Sequence, residues 1–372
     1  MKRQSDRFRR PLLQRGITLI ELMIALTLGL LLSMGIGAIF VNSSQAQREY
    51  HRMAQQIEDG RYAMDVLTQD VHHAGYYGPY FKLPGPLAAP DPCAVSDASS
   101  AISNALPFAI QAYSAADYSS RPDLSGTSCG TWLPDANLLP GSDVVVVRRA
   151  DTRALTIGST PTANEVYLQV NPVQGQVQFG AETPLTAAST ANGAAATVLK
   201  RDGGAADIHK LHVHVYFVAP CSVANGGGAV CTGANDDRGQ PVPTLKRLEL
   251  TAVGGVTTMN TVTIAEGVEA FRVDYGIDDS PAAVNDLTGS IGDGAPDRYV
   301  GAPTAAEMPN IVTGRLHILT RNRERSSGHS DTKTFELGSA GTLGPFNDGF
   351  KRHAYVAVVR IINISSRREI PS

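Results

Sequence analysis

Charged and aromatic side chains are scarce in this chain of 372 residues. Asp, Glu, Lys and Arg make up 18% of it, Phe, Trp and Tyr make up 6%, and tryptophan occurs once. Patterns typical of a nucleophile elbow, a phosphate-binding loop, a helical zinc-protease site or a Rossmann glycine turn do not occur in a supporting context. Since no catalytic motif is present, we predict that the protein is not an enzyme.

Cysteine is also rare, with Cys93, Cys129, Cys221 and Cys231 as the four examples. Because no two of them have C-x-x-C spacing, a zinc site is the weaker interpretation. Four thiols allow three pairings, and the sequence alone does not choose between them. In an oxidising compartment, pairing within each local stretch is the simplest hypothesis. Closing the 93–129 loop would then remove about 3–4 kcal/mol of unfolded-state entropy.

Basic residues are concentrated at the N-terminus. Residues 1–16 contain six Lys or Arg and one acid, whereas the remainder has 26 basic and 34 acidic side chains, a net charge of −8. A mildly acidic body is not expected to bind the phosphate backbone of nucleic acids. We therefore predict no nucleic-acid partner.

A long apolar run follows the basic segment. Residues 17–41 are almost wholly apolar except for Glu21, and residues 22–47 contain no charge. As a helix, 25 residues are about 37 Å long, enough to span the hydrocarbon core of a bilayer. No comparable basic segment follows the run directly. The positive-inside rule therefore places the N-terminus in the cytoplasm and the body outside the cytoplasmic membrane.

The order of these features resembles the class III signal of type IV pilins and type II secretion pseudopilins. A basic leader ends at Gly16, and the apolar run begins "ITLIELMIAL". An ordinary secretory signal instead places its small cleavage residues after the apolar region. In the pilin family a membrane peptidase cuts after the glycine and methylates the new first residue. The resemblance therefore implies cleavage between Gly16 and Ile17, with N-methylation at Ile17.

Glu21 is the one ionisable residue in the predicted span. A charged side chain there costs about 2.5–3.5 kcal/mol on insertion scales, so it is expected to have a functional partner. The resemblance implies that this partner is the free amine at the first residue of a neighbouring subunit, which neutralises the acid and fixes axial register during assembly. The alternative is a glutamate near the interface that reaches water.

Small side chains recur every fourth residue in the same run, at Ala25, Gly29, Ser33 and Gly37. Such a stripe allows close packing of helices in lipid. Gly and Ala are also common in membrane helices that make no such contact, and the sequence leaves both interpretations open.

Apolar residues continue at helical spacing beyond the run, as Tyr50, Met53, Ile57, Met64, Leu67 and Val71. This pattern predicts one helix from about residue 17 to 72, ended by Gly75, whose second half packs this stripe on a globular domain. The predicted division is a cytoplasmic leader at 1–16, a transmembrane half-helix at 17–41, an amphipathic half at 42–75 and a head at 76–372.

The head is expected to be β-rich and loop-rich, which makes the fold class α+β. Strand patterns cover residues 142–150, 165–170, 176–180, 211–219, 245–252 and 268–278. Residues 311–322 and 353–365 are expected to pair or pack with these strands, the last as a strand or a helix. Residues 76–140 show no sustained period and are predicted to be mostly loop.

The later segments are similar to the PilW group of minor pilins, which is related to the J-type pseudopilin of type II secretion. They read "FRVDYGID", "DGAPDRYV", "RLHILTRNRERS" and "VVRIINISSRRE" in chain order. The resemblance implies a minor pilin that primes pilus assembly at or near the tip and supports motility and adhesion. It also implies as partners the prepilin peptidase, other minor pilins, the major pilin and a PilY-type tip adhesin.

Two groups of residues suggest metal sites of low specificity. Acidic side chains in one loop could hold calcium through oxygen ligands; these are Asp278, Asp286, Asp293 and Asp297. His212 and His214 share a strand face, with His209 just before them, but no further ligand at metal spacing completes a site. A solvated loop and structural histidines are the preferred interpretations.

Two other functions remain as alternatives. One is a minor pseudopilin of type II secretion, which deletion would distinguish by loss of secretion without loss of twitching. The other is a membrane-anchored periplasmic enzyme or binding protein whose leader only resembles a prepilin signal.

Overall fold

The computed structural model describes residues 16–81, 83, 88–95, 101–280 and 292–369. The leader residues 1–15 and Asp286 lie outside the described residues. The chain divides into two compact units, Met1–His51 and Arg52–Ser372.

The first unit consists of the N-terminal part of helix α1, which extends over Leu19–His72. Its apolar side chains are exposed, as expected for residues that face lipid or other helices. Among the described residues, α1 is the one helix that is long and apolar enough to cross a membrane.

The second unit is a β-rich head with thirteen strands in the described residues and a short helix, α2, at Ile362–Arg368. The strands are β1 Ile110–Tyr113, β2 Val144–Ala154, β3 Val166–Val170, β4 Gly175–Phe179, β5 Asp207–Ala219, β6 Thr244–Val253, β7 Val256–Glu266, β8 Val268–Ile277, β9 Arg298–Val300, β10 Ile311–Arg321, β11 Phe335–Glu336, β12 Thr342–Leu343 and β13 Arg352–Arg360. The α+β prediction is confirmed.

The strands form three antiparallel sheets. The largest has seven strands, in the order β1-β2-β5-β3-β4, and β6 pairs with β5 and with β7. Strand β5 is long enough to pair with β2 along one edge and with both β3 and β6 along the other. The second sheet has the order β13-β10-β8-β9, and β11 pairs with β12.

The central strands of the seven-stranded sheet are buried on both faces, which explains the continuous run of valines in β2. Because side chains alternate along a strand, Val144 and Val146 enter one core, with both cysteine pairs. Val145 and Val147 enter a second core, with α1 and the β8 and β10 strands of the second sheet. One face of the seven-stranded sheet therefore packs against the loop-rich segment at 76–140, and the other face packs against α1.

The helical stripe predicted for the head is only partly correct. Leu67 and Val71 are buried, but Tyr50 is 74% exposed. The buried positions before Leu67 are Gln56, Gly60 and Ala63 instead. Met53 and Ile57 are 42% and 40% exposed, so apolar character alone did not identify the packed face.

Two other segments differ from the sequence prediction or refine it. Residues 353–365 form both alternatives, since β13 ends at Arg360 and α2 begins at Ile362. Strand β7 was not predicted, because it is rich in threonine and only two of its residues are buried.

Candidate functional site: the start of α1 and its anchor in the head

Helix α1 begins with a reciprocal hydrogen-bonded cap. The Thr18 N–H and hydroxyl both donate to Glu21 Oε2 at 3.0 Å, and the Glu21 N–H donates to Thr18 Oγ1 at 3.3 Å. This is a capping box, in which the side chains of the N-cap and N3 residues satisfy two N–H groups. Glu21 therefore has a local role in starting the helix within a single chain. The T-x-x-E pattern at the start of the apolar run could have revealed this cap from the sequence.

The other predicted assembly residues lie exposed along the first unit. Gly16 and Ile17 precede the helix. A Cβ added to Gly29 or Gly37 would meet nothing within 4 Å, so the chain leaves open space beside both glycines. Ser33 Oγ donates to the Gly29 carbonyl at 2.8 Å, which satisfies its hydroxyl within the helix.

A buried carboxylate anchors the end of α1 to the seven-stranded sheet. Asp70 Oδ2 accepts hydrogen bonds from Tyr216 at 2.8 Å and lies 2.6 Å from His214 Nδ1, while Oδ1 accepts from Arg149 Nε at 2.6 Å. Burial raises the pKa of the Asp70 carboxyl, but His214 and Arg149 outweigh it and hold the pKa well below its usual range. The ionised Asp70 thus ties α1 to strands β2 and β5.

A glycine allows the same helix to approach the second sheet. A Cβ at Gly60 would lie 2.4 Å from the ring of Tyr355 on β13. One turn earlier, the Gln56 amide donates to the carbonyls of Thr320 and Lys351, both at 3.0 Å. The helix therefore contacts β10 and β13 through a small residue and an amide, which sequence hydrophobicity does not indicate.

A buried arginine on the second sheet binds three carboxylates. The Arg352 side chain is 0% exposed and binds Glu269 at 2.5 Å, Asp348 at 2.7 Å and Asp331 at 3.2 Å. Its guanidinium carbon also lies 3.5 Å from the centroid of the Phe346 ring. Burial lowers the pKa of Arg352, but Asp348 and Glu269 outweigh it and raise the pKa above its usual range. The loop that carries β11 and β12 is held to the sheet through this cluster.

Both local disulfides are present. Cys93 is bonded to Cys129 and Cys221 to Cys231, with S–S distances of 2.00 and 1.98 Å. Asp236 lies near the second pair, but its carboxylate accepts the N–H groups of Asn225, Thr232 and Gly233. Oxidised sulfurs and a saturated carboxylate hold a folded loop and do not fit a metal site.

Of the calcium candidates, the three that the structure describes, Asp278, Asp293 and Asp297, do not form a group of three ligands close enough to share an ion. Asp278 Oδ2 accepts hydrogen bonds from Arg368 Nε and from the Gly294 N–H, both at 2.8 Å. The guanidinium of Arg368 therefore already neutralises the charge of this carboxylate. Asp293 accepts from the Ala295 N–H, and Asp297 accepts from the Asp279 N–H at 2.7 Å. The Asp278–Arg368 pair fixes α2 to the end of β8.

The histidines on β5 also have separate partners. His214 contacts Asp70, as described above, whereas His209 Nδ1 lies 2.8 Å from the Asp151 carbonyl. His212 Nε2 is 3.5 Å from the Asp151 carboxylate. Burial, with Arg149 nearby, lowers the pKa of His212 to about 4. These contacts support structural roles.

Comparison with known proteins identifies two matching segments. Residues 12–37 match the prokaryotic N-terminal methylation motif. Residues 223–363, which include β6 to β13, match the family described as Type IV Pilus-assembly protein W, PilW. The first match shows that the N-terminal segment is similar to that of type IV pilins. Together the two matches support a type IV pilus minor pilin of the PilW type.

The other comparisons add little. A type IV-like pilin from Thermus thermophilus is 18% identical over 41% of this chain and 79% of its own, with a TM-score of 0.18. A score this low carries no argument about the fold. A search of curated proteins finds no match.

Proposed function

We propose that the chain is a minor pilin that is cut between Gly16 and Ile17, methylated at Ile17 and incorporated into a type IV pilus. The observation that carries this proposal is the methylation motif at residues 12–37. It coincides with a basic leader, a glycine and an uncharged run interrupted only by Glu21. Pilins are structural proteins, and the chain is proposed to act as one without catalysis.

Before it is assembled into the pilus, the chain is held in the cytoplasmic membrane. Residues 1–16 form the cytoplasmic leader, 17–41 cross the cytoplasmic membrane once, and 42–75 connect to the head at 76–372 in the periplasm. The basic leader supports this orientation through the positive-inside rule. After cleavage, the same apolar residues exchange lipid for the helices of neighbouring subunits, with Ala25, Gly29, Ser33 and Gly37 as a close contact face.

Glu21 is proposed to act in assembly through its charge. The capping box already uses Oε2, and a carboxylate has further lone pairs that can accept from the amine of a neighbouring subunit. In lipid an ion pair of this kind replaces the water that the carboxylate loses. The cap orients the carboxylate, and the incoming amine sets the axial register.

A position at or near the pilus tip fits the size of the head. A large, loop-rich head suits a terminal cap better than a repeating position in a thin fibre, by analogy with the family. The proposed partners are the prepilin peptidase, the other minor pilins, the major pilin and a PilY-type adhesin. Priming of assembly, twitching motility and adhesion are the proposed outcomes.

Three substitutions distinguish the proposed assembly role of the Glu21 charge from the role of Glu21 in the capping box. Glu21→Gln keeps a capping side chain and removes the charge, whereas Thr18→Ala removes the cap partner and keeps the charge. We expect Glu21→Gln and Glu21→Ala to lower the amount of the protein in sheared pili at least about tenfold, the factor that 1.4 kcal/mol represents. Thr18→Ala should have a small effect, and the amount in membranes should stay constant for all three.

Glu58→Gln is the matched control, because Glu58 is an exposed glutamate of the same helix beyond the predicted span. It should leave incorporation unchanged. Wild-type amounts of Glu21→Gln in sheared pili, together with a loss in Thr18→Ala, would show that Glu21 acts only as a helix cap.

A further inference from the structure

Strand β7 forms an open edge of the seven-stranded sheet. It is eleven residues long and pairs with β6. Within the described residues, no strand pairs with its other side. An antiparallel ladder turns the N–H and C=O of every second residue away from the partner strand. The free side of β7 therefore presents a row of main-chain donors and acceptors.

Most of β7 lacks the usual protection of an edge. Natural edges are short or carry charges, proline or bulges that prevent pairing with other chains. Residues 256–265 contain no charge, proline or glycine, and seven of the ten are Val, Ile or Thr. Of the other described edge strands, β1, β4 and β9 have five residues or fewer, and β13 carries Arg352, His353 and Arg360. β7 is thus long and unprotected over residues 256–263, and its protections are confined to its end, where the register shifts at Ile264 and Glu266 adds a charge.

A cavity of about 440 Å³ adjoins the second half of this edge. Val262 and Ile264 of β7 form one wall, and Tyr62 of α1, which is 55% exposed, contributes to another. Arg149 and Arg247 also line the cavity. An added strand would therefore place side chains against apolar groups and two guanidinium groups.

The arginines retain capacity for an acidic group. A guanidinium carries five N–H donors. In the described chain, Arg149 donates to Asp70 through Nε, and Arg247 donates to Glu249 and Tyr216. Among the described residues that line the cavity, Asp70 is the one carboxylate, and it already contacts Arg149, His214 and Tyr216. A carboxylate from outside would meet charge-assisted donors here.

We propose that β7 is a docking edge that accepts an extended segment of a neighbouring pilin-like head by strand addition. This inference rests on the proposed incorporation into a pilus. The added segment is antiparallel to β7, as are all pairs in this sheet within the described residues, and carries an Asp or Glu that reaches Arg247, which lies opposite Val262 on the neighbouring strand. Main-chain hydrogen bonds supply affinity, and the acidic residue sets the register.

Photo-crosslinking in assembled pili tests the proposal. The crosslinker benzoylphenylalanine is introduced at Thr261, an exposed residue of β7, in the full-length chain, and at Val173 as a control. Val173 is 56% exposed in the turn between β3 and β4. The Thr261 adduct is expected to map to an acidic segment of another subunit whose own N-terminus is methylated. Val173 should give no such adduct.

A proline on the free side of the edge provides a second measurement. The two-residue turn at Gly254–Gly255 makes Val253 and Val256 a bonded pair, so alternation directs the Thr263 N–H away from β6. Proline is tolerated at such a position. Thr263→Pro should lower the Thr261 crosslink at least about tenfold, with no change in the thermal unfolding midpoint of the purified chain.

The outcomes separate the docking edge from the function on which it rests. If the wild-type chain is present in sheared pili but Thr261 gives no adduct, the docking edge is wrong and the pilin function stands. An adduct to a second copy of this chain, to a protein without a methylated N-terminus, or one unaffected by Thr263→Pro also overturns it. If the chain is absent from pili, both proposals fail.

Discussion

Gly16→Leu is expected to abolish maturation of the chain. A glycine lets another backbone approach closely, and a leucine side chain fills the space that the peptidase needs on the leader side of the cut. The apolar run is unchanged, so insertion into the membrane should continue. Immunoblots of membranes and of sheared pili should show only the uncleaved chain in the former and none of the protein in the latter.

Gly35→Ala is the control for this substitution. Gly35 belongs to the same exposed segment, and a Cβ there meets nothing within 4 Å. The variant should be processed as the wild type is. Mature chain in the Gly16→Leu strain would mean that Gly16 is not the residue before the cut.

Arg352→Met is expected to destabilise the head by about 3–5 kcal/mol, the cost of removing one partner from a buried ionic cluster. Methionine replaces the apolar stem but leaves Glu269, Asp331 and Asp348 without their shared cation. Contact with the Phe346 ring is also weakened. Urea unfolding of the full-length chain, followed by fluorescence of the single tryptophan Trp132, measures the loss.

Arg298→Met is the matched control. Arg298 also binds two carboxylates, Asp279 and Glu307, but its side chain is 43% exposed and water can replace it. The unfolding midpoint of this variant should stay close to that of the wild type. Equal losses in the two variants would show that burial of the Arg352 cluster does not determine its contribution.

Features with a local period were predictable from the sequence. The apolar run and the continuation to His72 predicted α1, because helical spacing is visible within one segment. The valines at 144–147 predicted β2 for a similar reason, since a strand covered on both faces needs an unbroken apolar run. Cleavage after Gly16 stays a prediction, and it rests on the order of charge, glycine and apolar residues, which is also local.

Features that depend on distant partners were not predictable. Gly60 is explained by Tyr355, almost 300 positions later, and no helical pattern marks a glycine as a contact. Asp70 resembles a solvent-facing residue in sequence, yet it is buried under β2 and β5. Strand β7 lacks an apolar period because one edge and much of its surface are exposed. In each case the identity of the contact is set by the tertiary structure.

The two ends of α1 therefore have different physical roles. At the start, Thr18 and Glu21 cap a helix whose apolar surface is exposed in a single chain and needs lipid or other subunits. At the end, Asp70 fixes the helix to the head.

Intact-mass and peptide mass spectrometry of the protein purified from pili tests the central claim most directly. The account predicts a chain that begins at Ile17, carries one N-methyl group there and lacks residues 1–16. An uncleaved chain, or one that begins at any other residue, would contradict the assignment as a processed pilin.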